Sequence, residues 1–218
     1  MKQHEKKSVI KRYSDRLKEF GDDPQTLGWT KGKHFLRYHI LLSQWEFKGD
    51  TLLDFGCGFG DMCQYISEQK LNIKYTGVDI NKDLVETGKT KYPKANLLSI
   101  DIFNKNFKTK YDYVVCSGVH NLKLDNNWLF IENTFKKFSS IARKGFAINF
   151  ISDKVDFTEK HLYNTNPGKL IELVYKYSNK VVLRNDYMPF EFTIFVGMDA
   201  NFDKKLAVYP EFLKYLKK

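Results

Sequence analysis

Apolar residues recur along the chain with two different periods, and their alternation predicts an α/β fold. Residues 5–20 and 34–47 place apolar side chains at helical spacing, and Gly21 and Gly49 follow these two stripes. Short apolar runs of strand length then alternate with segments of helical spacing, which is typical of parallel strands buried on both faces. These runs cover residues 52–55, 73–80, 95–100, 111–117 and 146–150.

The second half of the chain predicts how the sheet ends. Helical spacing covers residues 128–141, and Asn166-Pro167 has the form of an N-cap and first helical position. Two further apolar runs, 180–183 and 190–196, are separated by too few residues for a helix, so the last strand should run antiparallel to its neighbour. The whole pattern predicts an α/β, doubly wound sheet of seven strands, mostly parallel, with an N-terminal helical segment.

Length and composition indicate one domain. The 218 residues suffice for one sizeable core, and 42% of them are hydrophobic. We expect a single domain over residues 1–218, with a helical cap or lid at 1–47, a core at 50–197 and a basic C-terminal segment at 203–218. The sequence contains no apolar stretch of about 18 residues and no secretion signal. A cytoplasmic protein without membrane insertion is therefore expected.

Two compositional features bear on partners and metals. The net charge is +10, and it is concentrated at the ends, where residues 1–20 carry seven Lys or Arg against three acids. Basic terminal segments either make the protein surface soluble or bind the phosphates of an RNA, and we favour the first interpretation. Cys57, Cys63 and Cys116 are odd in number and lack paired zinc spacing, so free thiols and no metal site are expected.

A glycine-rich loop follows the first predicted strand. Residues 51–62 read Thr-Leu-Leu-Asp-Phe-Gly-Cys-Gly-Phe-Gly-Asp-Met, and residues 61–70 have helical character. Glycine permits positive φ and a close approach of the main chain to a ligand. A dinucleotide fingerprint would require glycine at position 61, where Asp61 stands, and Asp54 is unusual for a dinucleotide site. The loop therefore indicates a nucleotide-type ligand other than a nicotinamide cofactor.

Acids end the next two strands as well. Asp79 lies 19 residues beyond Gly60, close to the separation at which a carboxylate accepts hydrogen bonds from ribose hydroxyls. Asp101 ends the third apolar run, and Ser117 ends the fourth. Because the carboxyl ends of parallel strands meet at one rim of a sheet, these side chains should gather around one ligand.

The segment Leu-Asp-Phe-Gly-Cys-Gly-Phe-Gly closely resembles the first motif of the class I S-adenosylmethionine-dependent methyltransferases, and the resemblance spans about residues 50–197. It implies a Rossmann-like seven-stranded sheet and S-adenosylmethionine as cofactor. It also implies that the strand-end acids and the loop hold the cofactor: the loop at its methionine end, Asp79 at the ribose and Asp101 at the adenine amino group. The residues expected to bind cofactor are Asp54, Gly56, Cys57, Gly58, Gly60, Asp79, Ile80, Asp101, Ile102 and Ser117.

The same resemblance suggests where an acceptor binds, because the segment before the first strand covers the mouth of the site in many such enzymes. The candidates for acceptor contacts are Tyr13, Trp29, Lys31, His34, Arg37, Asn121 and His161. His120 follows the fourth strand by three residues, near the expected methyl position, and an imidazole can take a proton at neutral pH. We predict His120 as the general base for a hydroxyl acceptor, with His161 in reserve.

The sequence thus predicts methyl transfer to a small-molecule acceptor, at an oxygen, with sugars and phosphorylated metabolites as the classes considered. No Asn-Pro-Pro-Tyr motif and no paired metal-binding acids follow the fourth strand. Two alternatives remain open. One is an RNA methyltransferase that uses the basic ends, and the other is a noncatalytic subunit that binds the cofactor and regulates a partner.

Overall fold

A computed structural model describes residues 1–29, 32–199 and 201–216. Within these residues, seven strands form one sheet in the order β3-β2-β1-β4-β5-β7-β6. The strands are β1 (Asp50–Phe55), β2 (Ile73–Asp79), β3 (Asn96–Ser99), β4 (Tyr111–Cys116), β5 (Ala142–Ile151), β6 (Val181–Arg184) and β7 (Glu191–Gly197). Neighbouring strands from β3 to β5 are parallel, and β7 is antiparallel to both β5 and β6. The predicted doubly wound sheet with an antiparallel last strand is confirmed.

Helices cover both faces of this sheet. They are α1 (Gln3–Phe20), α2 (Lys33–Leu42), α3 (Met62–Glu68), α4 (Lys82–Lys91), α5 (Asn127–Ile141) and α6 (Pro167–Val174). Alternate residues of β4 enter different cores: Val114 packs in the cluster with Phe138 of α5, and Val115 packs in the cluster with Met62 of α3. Since successive strand side chains point to opposite faces, a strand apolar at nearly every position requires such two-sided burial. None of the described helices is long and apolar enough to cross a membrane.

Two element boundaries differ from the sequence-based expectation. The second helix ends at Leu42 rather than near Phe47, because Trp45 leaves the helix and packs on Tyr113 with ring centroids 4.5 Å apart. The fifth strand begins at Ala142, directly after α5, and is longer than predicted. In the C-terminal segment a 3₁₀ turn at Pro210–Tyr215 is present, with exposed aromatic side chains. Tertiary packing decides these boundaries rather than local spacing.

Helix α1 lies across the rim formed by the carboxyl ends of the strands. Asn81, which follows β2, donates through Nδ2 to the carbonyl of Ile10 at 3.1 Å and to Ser14 Oγ at 3.2 Å. Lys6 Nζ donates to Asp101 beyond β3. Glu5 is the one fully buried residue of α1, whereas Val9, Ile10 and Tyr13 are half-buried. Polar contacts and partial apolar burial therefore hold this helix on the rim together.

Candidate active site

The glycine loop between β1 and α3 is fixed by main-chain hydrogen bonds to the neighbouring strand. The amides of Gly56 and Cys57 donate to the carbonyl of Val78 at 2.8 and 3.1 Å, and the amide of Gly58 donates to Asp79 Oδ2 at 3.0 Å. Gly56 has φ +74°, and a Cβ there would lie 2.2 Å from Val119 Cγ2. A side chain at this position would therefore be strained and would push the loop away from the turn after β4.

Asp54, at the end of β1, is buried with 3% of its surface exposed and accepts a hydrogen bond from Tyr75 Oη at 2.8 Å. Burial raises its pKa to about 7, although the bond from Tyr75 acts in the opposite direction. The carboxyl group is thus close to half-protonated near neutral pH. A cationic group placed beside it would favour the ionised form.

Asp79, at the end of β2, is held by two main-chain donors. Gly58 N donates to Oδ2 at 3.0 Å and Asn81 N donates to Oδ1 at 2.8 Å. Burial raises its pKa, and these backbone bonds oppose that shift. Because each carboxylate oxygen can accept more than one hydrogen bond, both retain capacity for ligand hydroxyls.

Asp101, beyond β3, makes a contact that sequence reasoning did not anticipate. Its Oδ1 accepts from Phe103 N at 2.9 Å, and its Oδ2 accepts from Lys6 Nζ of α1. The acid expected at the adenine is therefore joined to the helix that covers the rim. Any group that enters beside Asp101 must accommodate Lys6.

These groups surround a cavity of about 330 Å³, within the range usual for small-molecule sites. The predicted residues that line it are Tyr13, Trp29, Arg37, Asp54, Gly56, Cys57, Gly58, Asp79, Ile80, Asp101, Ser117, Asn121 and His161. The strand-end acids thus meet at one cavity, as the parallel topology predicts.

Three other predicted residues do not line the cavity. Gly60 faces Leu97, whose Cδ2 would lie 2.6 Å from an added Cβ, so this glycine shapes the loop. Ile102 is buried in the core, and the next residue, Phe103, lines the cavity instead. His34 packs against the ring of Phe35, with centroids 4.7 Å apart. The candidate Lys31 lies outside the described residues.

His120 is also absent from the cavity wall, and its geometry argues against the predicted role as general base. The side chain is 1% exposed and lies between Phe130 and Phe150, with ring centroids 4.8 and 5.4 Å away. Among the described residues neither ring nitrogen has a hydrogen-bond partner. Burial lowers its pKa to about 3, so the imidazole is neutral but cannot reach a substrate proton. The turn after Gly118, which has φ +75°, directs this side chain into the core.

At the opposite end from the acids, a buried ion pair lines the cavity. Arg37 Nε donates to Glu191 Oε2 at 2.8 Å, and Arg37 Nη2 donates to Glu191 Oε1. Asn149 Nδ2 donates to Glu191 Oε2 at 3.2 Å and accepts through Oδ1 from Gly118 N at 2.8 Å. The ring of Trp29 lies 4.5 Å from the Arg37 guanidinium carbon. These contacts connect α2, β5, β7 and the turn after β4.

Sequence reasoning missed Glu191 and Asn149 at this end of the cavity. The sequence did contain a signal for each residue. Glu191 is an acid at the start of an apolar strand, and Asn149 is an amide inside one. Tyr13, which was expected at the acceptor, lines the cavity close to Asp79. Burial raises the pKa of Tyr13, and the negative charge of Asp79 adds to that shift because the two lie close together.

His161 and Asn121 lie on the outer side of the cavity. Asn121 Oδ1 accepts from Ile151 N at 3.2 Å, and its carbonyl accepts from Tyr163 N at 2.9 Å. His161 is half-exposed, with Nδ1 3.6 Å from Glu159 Oε2. An imidazole in this place contacts both the cavity and solvent.

The donor set fits S-adenosylmethionine. Asp54 would hold its ammonium group, Asp79 its ribose hydroxyls and Asp101 its adenine amino group. Ser117 lines the same cavity, and its Oγ is buried without a hydrogen-bond partner among the described residues. Unpaired buried polar atoms are costly, so a ligand atom at this position would relieve that cost.

Comparison with known proteins agrees with this site. Residues 53–137 match the family model described as a methyltransferase domain. The protein named "Putative methyltransferase Rv1506c" from Mycobacterium tuberculosis (strain ATCC 25618 / H37Rv) is 31% identical over 154 residues, covering 67% of this chain and 92% of that protein.

Two solved structures share the fold. Magnesium protoporphyrin IX methyltransferase (ChlM) from Synechocystis PCC 6803, with bound SAH, has a TM-score of 0.64 at 13% identity, covering 88% of this chain and 98% of that one. A TehB-like SAM-dependent methyltransferase from Corynebacterium glutamicum ATCC 13032 Kitasato has a TM-score of 0.56 at 18% identity, covering 87% and 98%. The chain belongs to the class I S-adenosylmethionine-dependent methyltransferase family. It is an enzyme whose cofactor is S-adenosylmethionine.

Proposed function

We propose that this enzyme methylates an oxygen atom of a small-molecule acceptor bound beside Trp29, Arg37 and Glu191. The observation that carries the proposal is one continuous cavity, which runs from the three strand-end acids to the buried Arg37–Glu191 pair. A single chamber with cofactor groups at one end and other polar groups at the far end suits a two-substrate transfer.

The chain's contribution is to bind, orient and exclude water. S-adenosylmethionine supplies a methyl group already activated by its sulfonium. The turn after β4, with Ser117 and Gly118, borders the cavity between the acids and the ion pair, so an acceptor there would face the methyl donor. Alignment of two reactants in such a site can provide much of the rate.

His161 is the residue that we assign to proton removal from the acceptor hydroxyl. It replaces His120, which is enclosed by aromatic rings and does not line the cavity. His161 does line the cavity and is half-exposed, so the imidazole can pass a proton on to solvent.

Sugars and phosphorylated metabolites are the acceptor classes to examine first. Their hydroxyl groups offer oxygen nucleophiles, and Asn121 and Glu191 provide polar partners in the cavity wall. The C-terminal segment gives RNA as the acceptor no support, because none of its described basic residues lines the cavity.

The test measures S-adenosylhomocysteine formation with a panel of sugars, phosphorylated metabolites, amines and RNA. For an accepted hydroxyl compound, His161→Gln should lower kcat by about 10²–10⁴-fold and leave cofactor affinity unchanged. His39→Gln, a histidine change outside the cavity, is the matched control. Turnover confined to RNA or to amines, or a fully active His161→Gln enzyme, would contradict the proposal.

A further inference from the structure

A second concavity adjoins the cavity and opens between α1 and the loops after β4 and β5. This mouth groove, of about 510 Å³, is lined on one side by α1 and on the other by residues 122–125 and 160–161. Arg12 and His161 line both the groove and the cavity, so the two spaces lie side by side. A molecule in the cavity can therefore extend into the groove.

The acids of the groove already have partners within the protein. Asp125 Oδ2 lies 2.9 Å from Lys2 Nζ and 3.2 Å from His4 Nε2. Glu5 accepts hydrogen bonds from the main-chain amides of Lys2 and Asp125 at 2.5 and 2.9 Å. Neither carboxylate is left to bind a cation from outside.

The cations of the groove, in contrast to its acids, have no charged partner among the described residues. Within the part of the chain that the structure describes, Arg12, Lys123 and Lys160 form no ion pair with a carboxylate. The amide of Lys123 donates to the carbonyl of His161 at 2.9 Å, which ties the two lysine-bearing loops together. Three cations thus surround one opening, and the loop contact holds two of them on neighbouring segments.

We propose that the mouth groove binds a phosphate group of the acceptor while the methylated hydroxyl lies deeper, beside the Arg37–Glu191 pair. This inference rests on the proposed function and specifies its substrate class as a phosphorylated small molecule. A phosphate group suits the groove better than a group with a single negative charge, because several cations can each contact one of the phosphate oxygens. The deep end suits a neutral group, because Glu191 already balances the charge of Arg37.

The position of Arg12 and His161 gives the groove a role in orientation. Both residues lie where the groove meets the cavity. A phosphate anchored at the mouth would direct the rest of the acceptor past His161 toward the turn after β4. Positioning from a remote group in this way increases the rate of transfer as well as affinity.

Isothermal titration calorimetry of the S-adenosylhomocysteine complex with inorganic pyrophosphate tests the groove without knowledge of the acceptor. Pyrophosphate should bind saturably, and Lys123→Gln/Lys160→Gln should weaken it by at least about tenfold. Lys108→Gln/Lys110→Gln removes the same charge from an exposed loop outside the groove and should change affinity by less than about twofold. Lys123→Arg/Lys160→Arg should retain binding, since it keeps both charges.

Several outcomes would overturn the inference. They are no saturable binding of pyrophosphate, equal losses in the groove and control variants, or tighter groove-dependent binding of an RNA oligonucleotide, which would indicate a macromolecular occupant. The result is separate from the test of the proposed function, because it measures anion binding rather than methyl transfer. Groove-dependent pyrophosphate binding together with turnover confined to amines would refute the oxygen acceptor but leave the anion site in place.

Discussion

Arg37 of α2 and Glu191 at the start of β7 form a buried ion pair between residues 154 positions apart in the chain. Each side chain is 10% exposed, and Asn149 adds a hydrogen bond to the carboxylate. The pair joins the N-terminal segment to the antiparallel part of the sheet, at the end of the cavity where we place the acceptor. It therefore has both a structural and a functional consequence.

Breaking this pair should destabilise the fold more than replacing it. Glu191→Leu leaves the Arg37 charge buried without a counter-ion, and we expect a loss of about 3–5 kcal/mol in the free energy of unfolding. The double variant Arg37→Met/Glu191→Leu should lose less, because no uncompensated charge remains. Urea unfolding of Glu191→Leu, Arg37→Met and the double variant, with the original protein as the fourth corner of the cycle, measures the coupling. A loss below about 1 kcal/mol for Glu191→Leu, as for an exposed pair, would contradict this expectation.

Asp79 should contribute strongly to cofactor affinity. Asp79→Asn keeps the size of the side chain but removes the charged acceptor, so S-adenosylhomocysteine should bind about ten- to a hundredfold more weakly. Calorimetry measures the affinity, and far-UV circular dichroism checks the fold. Asp186→Asn, an exposed acid outside the cavity, serves as the control and should bind normally. Unchanged affinity in a folded Asp79→Asn protein would remove Asp79 from the site.

Cofactor binding should depend on pH through Asp54. Its pKa in the free protein is raised to about 7, whereas the bound ammonium group requires the ionised carboxylate. Below this pKa, binding must first remove a proton, so the affinity for S-adenosylhomocysteine should fall by up to about tenfold per pH unit. Calorimetry in buffers of different ionisation enthalpy should also detect the released proton.

The Asp54→Asn variant is the control for this pH dependence. It should bind more weakly near neutral pH but show a flat profile through the same window, since its amide does not titrate. An equally steep profile in Asp54→Asn would assign the dependence to another group.

His120 should be dispensable for catalysis. His120→Leu replaces a buried polar ring that has no hydrogen-bond partner among the described residues, so stability should rise by about 1 kcal/mol and turnover should remain near that of the original enzyme. Burial lowers the pKa of His120 to about 3 in the folded protein, so below the usual pKa of a histidine the unfolded state binds more protons than the folded state. The gain in stability should therefore be larger at mildly acidic pH than at neutral pH.

Thermal unfolding at both pH values, together with single-turnover kinetics, measures these effects. A decrease in the kcat of His120→Leu by about 10²-fold or more, with intact cofactor binding, would show that His120 is the general base after all.

Helix α1 should be a cover for the cofactor as well as for the acceptor. Arg12, Tyr13 and Val9 line the cavity, and Lys6 contacts Asp101. We expect S-adenosylhomocysteine to slow amide exchange across residues 3–16 by at least about fivefold, because bound ligand fills the space beneath the helix. Exchange in α6, none of whose residues line the cavity, provides the internal reference. Unchanged exchange in α1 at saturating ligand would show that it is not part of the cofactor site.

Local sequence patterns were sufficient to predict that the strand-end acids meet at one cavity. Asp54 and Asp79 each end an apolar run, and glycines follow the first of them. Parallel strands present their carboxyl ends at one rim, so two strand-end acids converge whatever the details of the rest of the fold. The number of strands and the antiparallel direction of β7 also followed from spacing, because a short connection between strands cannot cross over the sheet.

Tertiary structure alone decided which side chains lie at the end of the cavity where we place the acceptor. His120 and Asn121 are adjacent in sequence, yet the turn after Gly118 buries the first among aromatic rings and leaves the second on the cavity wall. The sequence does not indicate that Arg37 and Glu191 form a pair, because they are 154 positions apart and meet only when α2 packs against the sheet. The position of a residue along a strand determines the face of the sheet on which its side chain lies, because side chains alternate along the strand backbone. Which distant side chains share a cavity depends on the packing of whole elements, and only the assembled fold contains that information.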